Sequence, residues 1–386
     1  MTSQVVVLGS GYAGAGAVSR LESELREDAH LTWISDVDYH LVLHESHRCI
    51  RDPSVREKIT IPVETIASRS TEFVEGSVVD IDTDERAVEL ADDRTVDYDY
   101  LLVALGSRTA FFGIDGLRTH AHTLKSLDDA LAIHDAIRSA ARDASRTDPA
   151  RVLVGGAGLS GIQVAGEVAA FRDERGAPLE IRLVEGLEEV LPNGDPELQR
   201  ALRSRLENKD VDVLTGEFVS EVDDTTVYLG EDDELDYDVL VWTGGITGRD
   251  AVANSGLDQN ERNHRIDAGR TFRTSDDRVF AIGDCALVEQ NDEVAPPTAQ
   301  AAWQAADVAG ANVARAVRGE SLKEWHYHDK GTVVSVGDEA VAHGVDVLPV
   351  STFGGFAAET LKKLIAARWI ADVGSVGKAI SAWPAL

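Results

Sequence analysis

The sequence predicts an α/β protein with two dinucleotide-binding domains and a small C-terminal α+β unit, and three observations carry that expectation. A short β-branched apolar run near the chain start enters a glycine-rich turn and then a helical stretch. The same arrangement recurs in mid-chain, and each copy is followed at a similar distance by a second apolar run ending in small residues. Together these are the marks of two Rossmann-type units. With 386 residues, 43% of them hydrophobic, the chain is long enough for two or three domains with ordinary cores.

In the first unit Val5-Val6-Val7-Leu8 reads as a buried strand closed by Gly9. It runs into Gly9-Ser10-Gly11-Tyr12-Ala13-Gly14 and a helical stretch over Ala15 to Leu25. In such a turn the first glycine permits the tight bend, the second lets the backbone approach a pyrophosphate, and the third lets helix and strand pack closely. The helix N-terminus then offers free N–H groups and a positive dipole end to the phosphates. Gly9, Gly11 and Gly14 are the candidate binding residues. The next strand, Leu31 to Ile34, ends on Ser35 with Asp36 one residue late, so both are candidates for the adenosine ribose. Tyr100 to Leu105 closes the unit on Gly106, with Ala104 and Gly106 placed to face a bound dinucleotide.

The second unit repeats the plan. Arg151 to Val154 is the strand, Gly156-Ala157-Gly158-Leu159-Ser160-Gly161 the turn, and Ile162 to Phe171 the helix. The following strand, Ile181 to Val184, ends on Glu185, 24 residues after Gly161. A carboxylate there accepts hydrogen bonds from a ribose 2′-OH and repels a 2′-phosphate, which predicts NADH rather than NADPH. Val239 to Thr243 is the closing strand, and Gly244 at its end joins Gly156, Gly158, Gly161 and Glu185 as a candidate. One glycine turn is as well explained as a tight loop; two in matching strand-turn-helix contexts are not.

The net charge is -31, and the 37 basic residues divide into 8 Lys and 29 Arg. An acidic, lysine-poor surface stays soluble in concentrated salt, where screening reduces self-repulsion. The composition is similar to that of proteins of salt-loving microbes and predicts a haloarchaeal source; an acidic cytosolic protein is the alternative. Such a field excludes nucleic acid as a partner. Cys49 and Cys285 are the only cysteines and form no C-x-x-C motif, so no metal site is expected. The opening Met1-Thr2-Ser3-Gln4 lacks a positively charged leader, and no stretch approaches the length of a spanning helix. The expectation is a cytoplasmic protein.

Val279-Phe280-Ala281-Ile282-Gly283-Asp284 resembles the second FAD motif of the pyridine-nucleotide-dependent flavoproteins. The resemblance implies that Asp284 binds the ribityl chain of FAD, although a strand-terminal Asp also suits a helix cap. Asp38-Tyr39-His40-Leu41, Gly106 to Leu117 and Leu124 to Ala130 look like type II NADH:quinone oxidoreductases. Pro297-Thr298-Ala299-Gln300-Ala301-Ala302-Trp303-Gln304 matches that family's A-Q-x-A-x-Q pattern at its quinone site. Gln300 and Gln304, four apart, share one helix face and are expected to flank a quinone ring beside the flavin. The chain departs from the family where an acid commonly follows the second turn and Gln163 stands instead. Glu167, four residues on, is retained as a candidate catalytic residue. Ser35 in place of an acid is a second departure, and a short, modestly apolar C-terminus is a third.

The resemblance implies a non-pumping enzyme that carries two electrons from NADH through FAD to a quinone of menaquinone type. A soluble FAD-dependent reductase of ferredoxin or of a sulfide or persulfide acceptor is the alternative, as is a nucleotide-sensing flavoprotein. The lack of a paired redox cysteine weighs against the thiol chemistries.

Because Asp284 belongs with the first turn, the FAD domain is expected to be discontinuous, over 1–112 and 248–324, with the NADH domain at 113–247 and a third unit at 325–386. Polar runs Asp143 to Asp148 and Glu231 to Asp236 read as surface loops. In the tail Phe353, Ala357, Leu361, Leu364, Ile365 and Trp369 lie on one face at helical spacing, with Lys362, Lys363, Arg368 and Lys378 against Glu359 and Asp372. Such a helix suits the inner face of the cell membrane as a peripheral contact. Packing on the body and a homodimer interface are the alternatives.

Overall fold

The computed structural model describes residues 2–25, 28–230, 233–291, 293–346 and 351–386. Strand β1 (Ser3–Leu8) passes through the first glycine turn into helix α1 (Tyr12–Leu25), followed by β2 (Ala29–Ser35), β3 (Thr71–Glu75) and β4 (Tyr100–Val103). Helix α2 (Leu127–Asp143) leads to β5 (Ala150–Gly155), α3 (Leu159–Arg175), β6 (Leu179–Glu185), α4 (Pro196–Asn208), β7 (Val211–Thr215) and β8 (Val239–Trp242). The chain then returns with β9 (Val279–Ala281) and α5 (Ala299–Val317).

Two parallel sheets result. The first runs β9-β4-β1-β2-β3 and so draws on both ends of the chain; the second runs β7-β6-β5-β8. The central strands β1, β4, β5 and β8 are apolar on consecutive residues because both faces are covered, and Val5, Val6, Val7 and Leu8 have no exposed surface at all. Register then builds the sites. Leu8 pairs with Ile34 on one side and Val103 on the other, so the glycine turn, Ser35 and Ala104 leave the sheet at one level. In the second sheet Gly155 pairs with Val184 and Trp242 to the same effect.

Helix α5 is rich in alanine because it lies close on α1. A Cβ on Gly16 would sit 2.8 Å from that of Ala306, and one on Gly310 2.9 Å from the Ala17 carbonyl. Each sheet also carries a three-stranded antiparallel meander, Val78–Asp82 with Ala87–Leu90 and Thr95–Asp97 in the first, and Val219–Val222 with Thr226–Leu229 and Asp233–Asp236 in the second. The last strand corrects the loop expected over Glu231 to Asp236, of which residues 231 and 232 lie outside the described residues. An acidic stretch is tolerated there because it is an edge strand with only Leu235 turned partly inward.

The C-terminal unit is an antiparallel sheet of β10 (Thr332–Val336), β11 (Glu339–His343) and β12 (Thr352–Gly354) with helices α6 (Phe356–Val373) and α7 (Val376–Ala382). Two expectations for the tail are corrected. Phe353 belongs to β12 rather than to the helix. The buried face of α6 is Ala358, Lys362, Ala366, Trp369, Ile370 and Val373, so Trp369 and Lys362 face the body and Leu364 and Ile365 face solvent. Apolar residues occur around much of α6, and periodicity could not say which side would find a partner.

Candidate functional site

Two glycines set the shape of the first turn. Gly9 has φ +99°, and a Cβ there would collide with the Ala104 carbonyl. A Cβ on Gly14 would strike the Gly9 carbonyl, so its absence lets α1 start directly against β1. Gly11 instead faces open space, where a pyrophosphate would meet the N–H groups of the helix start.

Ser35 and Asp36, the two ribose candidates, are placed differently. The Ser10 hydroxyl donates to the Tyr39 carbonyl at 2.9 Å and accepts from Ser35 at 2.8 Å, so buried Ser35 braces the turn. Asp36 is exposed beside the cleft, and no side chain among the described residues bonds to its carboxylate. Beneath the turn His40 Nδ1 donates to the Ser10 carbonyl at 2.7 Å, and the Trp369 indole N–H donates to His40 Nε2 at 2.8 Å. One ring nitrogen must carry a proton and the other must not, which defines a neutral Nδ1–H imidazole. Burial lowers the pKa of this ring to about 4, against the pull of the Ser10 carbonyl.

From the turn a cleft of about 650 Å³ runs past Ala104 and Gly106 to Asp284. At that end Lys125 Nζ donates to Ser107 Oγ at 3.1 Å, and Ser107 donates to an Asp284 oxygen at 3.3 Å. Burial lowers the Lys125 pKa while Asp284 pulls it up. A Cβ on Gly283 would meet Ala13 at 3.0 Å and Ala302 at 3.9 Å, so the starts of α1 and α5 converge on this corner. A phosphate turn at one end, a free ribose carboxylate beside it, and a second carboxylate with lone pairs for ribityl hydroxyls at the other fit a flavin dinucleotide.

The second turn has the same build. Gly156 has φ +90°, and a Cβ would lie 2.5 Å from Gly244 Cα; Gly161 abuts the Gly156 carbonyl, and Gly158 faces open space. Glu185 accepts the Ala157 N–H at 2.7 Å on one oxygen and the Leu187 N–H at 3.0 Å on the other. Its carboxylate is thereby held at the mouth of the turn, where a ribose hydroxyl would donate to it. These residues fit NADH.

Gln300 and Gln304 do share one face of α5, with Gln304 Nε2 donating to Gln300 Oε1 at 3.3 Å. Both also grip the segment before β10. Gln300 accepts the Lys330 N–H at 2.7 Å and donates to the Gly331 carbonyl at 3.2 Å, while Gln304 donates to the His328 carbonyl at 2.8 Å. Glu167 does not reach the Asp284 cleft. It is fully buried, 3.0 Å from Arg51 Nε, and burial raises its pKa against the opposing Arg51 and Arg48. Close by, Lys362 Nζ donates to Ser335 Oγ at 2.6 Å and lies 3.6 Å from Glu45. Burial pushes the Lys362 ammonium down to about 8, with Glu45 opposing. Its partner in the body explains why the helix turned this lysine inward.

The profile of the pyridine nucleotide-disulphide oxidoreductase family matches residues 3–306. A type II NADH:quinone oxidoreductase of Staphylococcus aureus is 30% identical over 401 aligned positions, covering 97% of each chain. This chain belongs to the type II NADH:quinone oxidoreductase family. The fold is shared with NDH2 of Plasmodium falciparum, solved in complex with NADH, at a TM-score of 0.85 and 17% identity over 100% of this chain and 98% of that one. It is also shared with the sulfide:quinone oxidoreductase of Aquifex aeolicus, at 0.81 and 18% over 97% and 92%.

Cys49 and Cys285 are both free and buried, and burial pushes their thiols up to about 12 and about 11. Neither is poised as a thiolate. Lys125 and Ser107 were not assigned from sequence, although both stand in segments that look like the family. No spacing rule joins them to Asp284. The Trp369–His40 pair, 329 positions apart, left no local signal at all.

Proposed function

We propose that the protein passes two electrons from NADH through FAD to a quinone, without ion pumping. The observation that carries this is the presence of two complete dinucleotide turns on separate parallel sheets, in a chain aligned end to end with a type II NADH:quinone oxidoreductase. When bound, the flavin supplies the chemistry by accepting hydride and releasing electron pairs to the acceptor. The chain supplies position. Gly9, Gly11 and Gly14 hold one pyrophosphate and Gly156, Gly158 and Gly161 the other, with Asp36 and Glu185 on the two riboses. Ala104, Gly106 and Gly244 line the approaches, and Asp284, steadied by Ser107 and Lys125, takes the ribityl hydroxyls. Gln300 and Gln304 flank the quinone. Glu167 holds Arg51 and acts through packing. Anaerobic addition of NADH should bleach the flavin absorbance, and a soluble quinone should restore it; a flavin that NADH leaves oxidised refutes the assignment. Comparing menaquinone with ubiquinone analogues in the second half-reaction reads the quinone class, expected to be menaquinone.

The domain plan proposed is 1–112 with 248–324 for FAD, 113–247 for NADH and 325–386 for the tail unit. The antiparallel pair Arg108–Thr109 with Ile246–Thr247 supports those joins, because both crossings between sheets meet there.

No helix among the described residues is long and apolar enough to cross a membrane. Among the described residues, half of the large exposed apolar side chains nevertheless lie in the last two helices and the turn after them: Phe356, Leu364, Ile365, Val376, Ile380 and Trp383. A peripheral contact with the inner membrane face accounts for them. With Lys362 buried, the local charge is nearly balanced, so apolar burial rather than lipid charge would carry binding. A second copy of the chain seated there is the competing occupant.

A further inference from the structure

The NADH unit exposes two large apolar side chains beside its ribose acid. Phe218 is 64% exposed and Leu187 49%. Both follow carboxyl ends of strands in the second sheet, Leu187 after β6 and Phe218 after β7. The backbone ties these segments together, Gly216 N–H donating to the Leu187 carbonyl at 2.9 Å and Glu217 N–H to the Glu185 carbonyl at 3.0 Å. The Phe218 ring rests against Gly186, the residue next to Glu185. A Cβ built on Gly186 would sit 2.6 Å from two carbons of that ring. Gly186 has no positive φ to explain it, so the space it leaves serves the ring. One side of the phenyl is thus supported and the other is open to solvent. Phe218 is held at its own backbone too, its carbonyl accepting the Gly230 N–H at 2.9 Å.

We propose that Phe218 is a stacking shelf for the adenine of NADH, and that Gly186 is kept free of a side chain so that the ring can lie where the base arrives. This rests on the NADH assignment of the second turn. With the pyrophosphate at Gly158 and the ribose at Glu185, the base leaves the ribose on the side away from the turn, over the segments that follow β6 and β7. An aromatic face accepts a purine by stacking, an interaction that alanine substitution removes at a loss of roughly ten- to a hundredfold in binding. Stacking is apolar and resists salt, whereas the pull of the helix start on the phosphates is screened. In a chain of net charge -31, which repels an anionic dinucleotide, the base is the part of NADH that can be gripped without charge.

The test compares NADH with reduced nicotinamide mononucleotide, which carries the reacting ring but no adenosine, in anaerobic reduction of the flavin of the holoenzyme. Phe218→Ala should raise the half-saturating NADH concentration about tenfold and leave that of the mononucleotide where it was. Phe218→Tyr should restore the wild-type value, and Gly186→Ala, which displaces the ring, should behave like Phe218→Ala at unchanged flavin content. Half-saturation by NADH within twofold of wild type in Phe218→Ala overturns the shelf, as does an equal loss with the mononucleotide. A wild-type flavin that NADH cannot reduce overturns the parent assignment instead.

Discussion

Glu185 and His40 illustrate what single side chains do here. Glu185 serves the turn through Ala157 and the cofactor through whatever lone pairs remain, so its removal should act twice. Glu185→Ser should lower NADH efficiency and raise the NADPH to NADH ratio by roughly tenfold, since no carboxylate would then face a 2′-phosphate. Steady-state assays with both nucleotides measure this, and a wild type that uses them equally well contradicts the role. His40 and His47 are buried with their pKa values lowered, His40 to about 4 and His47 well below its usual value, in both cases because burial disfavours the charged ring. A base whose folded pKa is depressed stabilises the fold fully above its unfolded pKa. As pH falls from about 6.5 toward 4 the unfolded chain takes up protons that the folded chain refuses, at up to about 1.4 kcal/mol per pH unit for each histidine. The urea midpoint should therefore drop steadily from pH 7 to 5; a flat profile over that range would exclude this account.

Helix α5 and helix α6 each do two jobs. The α5 glutamines are proposed to meet the quinone, yet they also clasp residues 328–331, so activity alone cannot separate contact from packing. Gln300→Ala and Gln304→Ala should slow flavin reoxidation by quinone severalfold while flavin reduction by NADH stays near wild type. Stopped-flow measurement of both half-reactions decides, and equal damage to the two points to the clasp. Helix α6 was legible as a helix but not in orientation. Its apolar spacing suggested one face; burial kept Trp369, which pairs with His40, but turned Lys362 inward toward Glu45 and Ser335 and left Leu364 and Ile365 outside. The glycine turns were legible because their strand-turn-helix pattern lies within a βαβ unit of about 30 residues, although Ala104 and Gly244, which close on Gly9 and Gly156, lie far along the chain. The choice between Ser35 and Asp36 was not, because it depends on whether Ser10 faces one of them.

At the scale of the whole molecule, charge and the tail set the expectations. A net charge of -31 repels itself at low ionic strength, and at 1 M salt the Debye length shrinks to about 3 Å. Thermal stability should therefore rise from 0.1 M to 2 M KCl; a melting temperature independent of KCl would count against a salt-adapted surface. The same screening weakens any pull of Lys363, Arg368 and Lys378 on lipid. Removing the tail is a poor probe of docking, since Trp369, Ile370 and Val373 are part of the core. Val376→Asp with Ile380→Asp alters only exposed positions and should abolish co-sedimentation with anionic lipid vesicles in molar salt, leaving reduction of a soluble quinone intact. Wild type that stays in the supernatant ends the membrane proposal, and a dimer that the double variant splits assigns the patch to a second copy.

The sequence by itself determined the two strand-turn-helix units, the closing strands and the residues at their carboxyl ends. Each of these follows from local chain properties: Gly9 and Gly156 take positive φ values of +99° and +90°, and a strand covered on both faces is apolar on consecutive residues. Tertiary structure alone decided the rest. It paired His40 with Trp369 and so joined helix α6 to the first turn, drew Lys362 inward, and set Phe218 against Gly186. These contacts form between residues far apart in the chain, where neither periodicity nor spacing leaves a trace, and they exist only because the sheets bring distant segments to one edge.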